Sequence, residues 1–252
     1  MKTTLIMGGG LGNQMYQYAF VMALRNKGHV VTVDTSIFER SKAHYGYELE
    51  KVFQLKEPVK CNKGTHLLFL RGLYRLHPTS LTYIDGGGYH PEMLVSPKRY
   101  LYGYWQDSRY FSDIKEDILK VFSFADIDHL NMSVASEMAT CDSVSIHVRR
   151  GDYAIFGMPL LGLDYYRKGV AAIKAQIENP KFFIFSDDEE EAKSIADDLG
   201  VVYELINWNK GEDSYKDMFL MSKCKHNIIA NSTFSWWAGY LNSNSEKLII
   251  AP

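Results

Sequence analysis

Cysteine is scarce and scattered. The 252 residues contain three, Cys61, Cys141 and Cys224, with no C-x-x-C spacing. That disfavours a zinc site or a disulfide framework and fits a reducing compartment. An excess of one charge is also lacking: 28 Lys and Arg against 30 Asp and Glu leave a net charge of −2. Global attraction to nucleic acid is therefore not expected, although a local basic pocket is compatible with it. No apolar run approaches the roughly 18 residues that span a bilayer. The N-terminus MKTTLIMGGG has three consecutive apolar residues before its glycines, a first strand and not a signal peptide. The expectation is a soluble cytoplasmic protein with no integral membrane segment, whose association with the inner membrane would be peripheral. No Gly-Lys pair occurs, which excludes a P-loop. The dinucleotide fingerprint G-x-G-x-x-G fails as well: counted from Gly8 its third glycine is Asn13, and counted from Gly10 it is Met15.

What is present is globular, 46% hydrophobic and 23% charged. Leu5–Met7 reads as a strand, GGGLGN as a turn, QMYQYAFVMALRNKGH as an amphipathic helix and VVTVD as a second strand, a β–α–β opening that implies a parallel sheet. Residues 40–98 give no clear thread, with YIDGGGYHPEM the plainest loop. RYLYGYW reads as a strand and QDSRYFSDIKEDILKVF as a helix. From residue 141 the alternation is regular. SVSIHV, KFFIF, VVYEL, HNIIA and KLIIAP are strands, separated by the helices LDYYRKGVAAIKAQIE, SDDEEEAKSIADDLG, EDSYKDMFLMSKC and NSTFSWWAGYLN. Asp164 is placed to cap the first of these helices, with Tyr166, Val170, Ile173 and Ile177 on one face. The chain reads as two α/β halves, 1–140 and 141–252.

The junctions carry the chemistry. In SVSIHVRRGDY, Val144, Ile146 and Val148 recur every second residue, so Arg149 and Arg150 fall at the carboxyl end of a strand, where parallel sheets bind ligands. Arginine pairs bidentately with phosphate; with two in sequence, one suits a ligand and the other the scaffold, and either could pair with Asp152. His147, taken alone, is as readily a hydrogen-bonded core histidine. After the next strand, FSDD offers Asp187 and Asp188, one for a guanine edge or a ribose hydroxyl and one to cap the following helix. Ser232, Thr233 and Ser235 in NSTFSWW place hydroxyls and N–H groups at a helix start, and the glycine-rich turn does the same. Trp236 and Trp237 read as core. The pattern points to a diphosphate held between two α/β halves, with no convincing metal spacing.

Several stretches, GGGLGNQMYQYAF, GYWQDSRYF, SIHVRRGDY, LDYYRKGV, FSDD and MSKCKHNIIANSTFSWWAGYLN, resemble glycosyltransferase family 11, the bacterial α-1,2-fucosyltransferases. The resemblance implies a GT-B-like fold, with two Rossmann-type halves facing across a cleft. Residues 1–140 would form the acceptor side and residues 141–252 the GDP-fucose-binding half. It implies an inverting transfer of L-fucose from GDP-β-L-fucose to the 2-hydroxyl of a terminal galactose, with neither cofactor nor metal, in surface polysaccharide or O-antigen synthesis. On this chain it makes Arg149 the β-phosphate ligand and gives the guanine to His147 and Asp187. Ser232, Thr233 and Ser235 donate to the pyrophosphate; Gly10, Gly12 and Asn13 close the site from the other half; Trp105 and Gln106 meet the acceptor sugar. Related α-1,6-fucosyltransferases carry a candidate glutamate base ten residues beyond the motif histidine. That position is Gly157 here, which leaves Asp152 as the nearest carboxylate for the base. Family members continue beyond KLIIAP with an aromatic-containing segment, so either this chain is short or its tail was cut.

Three other readings stand beside it: a fucosyltransferase with a different acceptor, a non-catalytic nucleotide-sugar-binding protein, and a nicotinamide oxidoreductase. The broken glycine fingerprint speaks against the last. The RGD tripeptide has no integrin role in a chain without secretion signals, and the NST and NMS sequons carry no weight for the same reason.

Overall fold

Apolar runs of strand length alternating with helix-length segments require parallel strands with crossover helices, and two such sheets form. A computed structural model describes residues 2–40, 44–55, 81–155 and 157–252, without the side chains of Arg40, Asp152 and Ala154; Cys61 lies outside the described residues. The chain divides into two units, Met1–Ala125 and Asp126–Pro252.

The first unit contains β1 (Lys2–Ile6), α1 (Leu11–Asn26), β2 (Val30–Asp34), β3 (Thr82–Ile84), β4 (Tyr100–Tyr102), a 3₁₀ helix at Ser108–Ile114 and α2 (Lys115–Val121). Its four strands are all parallel, in the order β2-β1-β4-β3. The segment 106–122, expected as one helix, is split at Phe111 and Ile114, where the backbone leaves helical geometry. β3 falls inside the stretch 40–98 that gave no thread; three residues at a sheet edge are too few to show a period. α1 is buried on most of its surface, including Gln14 and Gln17. These two amides replace the ladder where β1 ends. Gln17 accepts from Gly8 N (3.1 Å) and donates to the Gly103 carbonyl (2.8 Å). Gln14 donates to Gly9 O and Gly46 O and accepts from Glu48 N.

The second unit opens with α3 (His129–Thr140), which packs on β5 (Asp142–Val148) and so places the division ahead of the expected 140/141 boundary. There follow α4 (Gly151–Ile155), α5 (Leu163–Lys174), β6 (Pro180–Ser186), α6 (Glu189–Leu199), β7 (Tyr203–Ile206), α7 (Tyr215–Lys223), β8 (His226–Ile228), α8 (Thr233–Leu241) and β9 (Ile249–Ile250). The strand order is β7-β6-β5-β8-β9, all parallel. This is the doubly wound order, with its reversal between β5 and β8. Val144, Ile146 and Val148 of β5 pack with Tyr166, Val170 and Ile173 of α5 and with Phe182 and Ile184 of β6. Asp188 caps α6 by accepting from Glu191 N. Asp164 does not cap α5; Gly162 holds that place without a side-chain bond, and Asp164 lies within the first turn. On the other face, Asn227 of β8 donates to Ser145 Oγ and Met221 O and accepts from Asn242.

Replacing Gln17 with leucine keeps the volume but strands the Gly8 N–H and the Gly103 carbonyl in the interior. At about 1–3 kcal/mol per buried unpaired group, the urea midpoint of Gln17→Leu should fall clearly with an unchanged m-value. A midpoint equal to wild type would show that these groups find other partners.

Candidate functional site

In the second unit the strand order reverses between β5 and β8, and the carboxyl ends of those strands are the usual ligand position in an open parallel sheet. Arg149, Arg150 and Gly151 leave β5 there, and the chain leaving β8 runs through Ala230–Ser232 into α8. Tyr153 joins the two loops by donating to the Asn231 carbonyl at 2.9 Å, and Asn231 donates to the Pro159 carbonyl at 2.8 Å.

The two arginines divide their work. Arg150 is buried; its guanidinium donates to Glu191 (3.2 Å), to Leu161 O (3.0 Å) and to Arg149 O (3.2 Å). It is the scaffold arginine, and it fixes the segment before α5. Arg149 keeps partial exposure, pairs with Asp187 (2.8 Å) and lies over the Tyr153 ring at 5.3 Å. Asp187, expected as a guanine ligand, spends both oxygens on the arginine turn: Oδ1 accepts Arg150 N at 2.8 Å and Oδ2 takes the Arg149 guanidinium. Gly151 is packed so closely that a methyl on its Cα would sit 2.3 Å from Asp187 Oδ2. Any side chain there would push the carboxylate off the turn.

His147 is buried beside this turn, and its Nδ1 has no hydrogen-bond partner among the described residues. Burial and, secondarily, the Arg149 charge bring its pKa down to about 3. The ring is therefore neutral, with the Phe234 ring 5.9 Å away. A buried orphan nitrogen at a ligand edge is a polar group awaiting a partner. At the start of α8, Ser232 caps the helix by accepting from Phe234 N, and Thr233 is half-exposed in the first turn. Ser235, expected as a phosphate donor, is turned inward: its hydroxyl accepts from Ala230 N at 3.1 Å, and the residue is fully buried. Asp152 lies in α4, but its side chain is outside the described set.

One carboxylate escaped the sequence reading. Asp217, in the first turn of α7, follows β7 and so stands at this same sheet edge. It accepts from Asn209 Nδ2 at 2.9 Å, and burial raises its pKa to about 7. Asn209 in turn bonds Asn131. The only signal was its place after a strand, which many aspartates share.

In the first unit, Gly10 precedes α1 and Gly12 and Asn13 lie in its first turn, at the carboxyl end of β1. Gln106 donates to Asn13 Oδ1 at 2.8 Å. Trp105, expected to meet sugar, is fully buried and stacked on Phe20 at 4.2 Å and 13°. It belongs to the core, and a face already covered by Phe20 has nothing to offer a ligand. Among the described residues no group of three or more His, Cys, Asp or Glu could hold a metal ion, and no helix is long and apolar enough to cross a membrane.

Two Rossmann-type units define a GT-B-like α/β fold. A crystal structure of NodZ α-1,6-fucosyltransferase soaked with GDP-fucose shares it, with a TM-score of 0.54 at 12% identity over 96% of this chain and 93% of that one. The chain belongs to glycosyl transferase family 11, whose model matches residues 81–252, and it is a glycosyltransferase. It is 31% identical to an α-1,2-colitosyltransferase of Escherichia coli, over 98% of this chain and 89% of that protein. It is 30% identical to the E. coli O-antigen biosynthesis glycosyltransferase WbnK, over 98% and 92%. A galactoside 2-α-L-fucosyltransferase of Mus musculus, Sec1, is 27% identical over 94% of this chain and 64% of that protein.

Two outcomes follow from this geometry. If Asp187 acts through Arg149, Asp187→Asn should weaken competition by GDP and by inorganic pyrophosphate by the same factor, about tenfold or more, and Gly151→Ala should do likewise. A guanine ligand would instead spare pyrophosphate. For His147, the folded pKa lies below the ordinary 6.5, so the unfolded chain binds the extra proton between pH 6.5 and about 3. Stability from this residue is complete above pH 6.5 and is lost as pH falls through that window. The urea midpoint of His147→Gln should therefore decline less between pH 6.5 and 4 than that of wild type; parallel curves would show that His147 is not buried neutral.

Proposed function

We propose that this glycosyltransferase moves L-fucose from GDP-β-L-fucose to the 2-hydroxyl of a terminal galactose, with inversion, in surface polysaccharide or O-antigen synthesis. The observation that carries the reading is Arg149, held by Asp187 and Tyr153 at the carboxyl end of β5, beside the β5/β8 reversal. A guanidinium fixed in direction before the substrate arrives can meet a β-phosphate without reorganising, which is where electrostatic catalysis gains most. The 2-linkage and the galactoside acceptor are supported by the activity of the murine relative, and the O-antigen setting by that of WbnK.

Fucose C1 departs from the β-phosphate oxygen as the acceptor hydroxyl attacks from the opposite face and passes its proton to a base, for which Asp152 is the nearest carboxylate in the sequence, so the β-linked donor gives an α-linked product. Positive charge grows on the sugar ring and negative charge on the leaving GDP. Arg149 neutralises the phosphate, and Thr233 with the N–H groups opening α8 supports it. Arg150 contributes by fixing the loop through Leu161. His147, neutral and short of a partner at Nδ1, suits the uncharged edge of guanine. Asp187 serves the donor through Arg149.

A second donor has a specific observation behind it, the 31% identical α-1,2-colitosyltransferase. Colitose is 3-deoxy-L-fucose, so the two sugars share ring, methyl group and leaving group and differ at one hydroxyl.

The test is a radiolabelled transfer from GDP-fucose to lactose or N-acetyllactosamine with EDTA present, the linkage determined by NMR, and GDP-colitose run in parallel. An α-1,2-fucosylated product supports the reading; transfer from GDP-colitose alone replaces the donor. Arg149→Ala should lower kcat about 10²–10³-fold, the scale for losing one donor to developing negative charge, while its unfolding midpoint stays near that of wild type. Full activity in that variant would overturn the assignment.

A further inference from the structure

The chain leaving β4 is bent in a way that ordinary residues resist. Trp105 has φ +56, a left-handed conformation that is rare for a bulky side chain and that persists only where the surroundings impose it. Here they do. Trp105 N donates to Asp85 Oδ2 at 2.8 Å. Its indole is stacked on Phe20 and edged by Tyr110, with Tyr83 at 5.5 Å. Gly103, two residues earlier, has φ +139 and lies so close to Asp85 that a methyl would meet its Cβ at 2.3 Å.

The bend buries Trp105 and leaves its neighbours exposed. Tyr104 is 47% exposed, and its ring lies over the turn after β1, within 3.1 Å of where a Cβ on Gly9 would stand. Gln106 is exposed and bonds Asn13. That bond uses one donor and one acceptor of the amide pair. The Asn13 NH₂ and the Gln106 carbonyl therefore keep hydrogen-bonding capacity among the described residues. Asp85 is committed to Trp105 N and Gly87 N, so the groups offered here are neutral. An aromatic face beside amides is suited to a neutral sugar, whose C–H face stacks on a ring while its hydroxyls need donors and acceptors at the rim.

We propose that Tyr104, with Asn13 and Gln106, forms the subsite that receives a neutral hexose of the acceptor. This rests on the glycosyltransferase reading above and moves the aromatic contact from Trp105 to its neighbour. Burial and the nearby Tyr102 raise the Tyr104 phenol, which keeps it un-ionised as a hydrogen-bonding group.

The experiment pairs kinetics with direct binding. With lactose as acceptor and GDP-fucose as donor, Tyr104→Ala should raise the lactose KM about tenfold or more, with the donor KM and GDP affinity unchanged; Tyr104→Phe should stay close to wild type. Saturation-transfer NMR with lactose in the presence of GDP should show contacts on the galactose ring in wild type that Tyr104→Ala loses. An active Tyr104→Ala enzyme with an unchanged lactose KM overturns the subsite and leaves the fucosyltransferase reading intact. So does a change confined to the donor KM. If wild type transfers to no galactoside, that reading fails by itself, and the NMR arm decides the subsite: lactose bound by wild type and lost in the variant supports it, and no binding by wild type overturns it. Gln106→Ala, altered at an exposed side chain, serves the same test if Tyr104→Ala does not fold.

Discussion

Each strand of a parallel sheet must stop, and where it stops its backbone N–H and C=O groups lose the ladder that satisfied them. Left buried and unpaired, such groups would cost more than most single interactions contribute. Side chains brought from elsewhere meet this demand at both sheets. Gln17 bridges the ends of β1 and β4 through Gly8 and Gly103. Asp85 takes Trp105 N after β4. Asp187, after β6, takes Arg150 N after β5, and Ser186 Oγ donates to Val148 O. The rigid carboxyl edges made in this way are the places where ligand-binding groups can be held in fixed directions.

The second unit was legible where its strands are long enough to show their period, as β5 and β6 are. Val144, Ile146 and Val148 alternate with Ser143, Ser145 and His147, and Asp188 and Gly200 mark both ends of one helix. The first unit was harder to read. β3 and β4 are three residues each, and their place in the sheet comes from pairing, β4 with β1 and β3 with β4, a tertiary fact that no local pattern carries. The expected boundary at 140/141 differs from the division after Ala125 for a similar reason: α3 has polar residues on much of its surface, and its packing on β5 and α7 joins it to the second unit.

For the candidate site, the sequence located the turns better than it located the roles. It expected one ligand and one scaffold arginine at the end of β5, and in the structure Arg150 is buried while Arg149 keeps partial exposure. It could not see that Asp187 is consumed by that turn, because the partnership crosses from one strand end to another. Ser235 faces inward, which the letters could not show, since the inward and outward sides of a helix's first turn look alike in a serine-rich string. Trp105 is turned into the core by a single backbone torsion: a residue at positive φ reverses which neighbour faces solvent, and nothing in the letters GYWQ announces that.

The contact between Gly151 and Asp187 bears on how such a protein can change through descent. With no room for a methyl group between them, growth at one position and alteration at the other are not independent events, and the first step in either direction leaves Arg149 without its guide. The arginine turn is thus inherited as a block. Tyr104 and Gln106 are in a different situation, since the buried Trp105 and the backbone around it set their direction and no tight packing ties either to a second position. They can be exchanged one at a time. A lineage built on this fold can therefore vary that exposed surface in small steps while the arginine turn stays fixed.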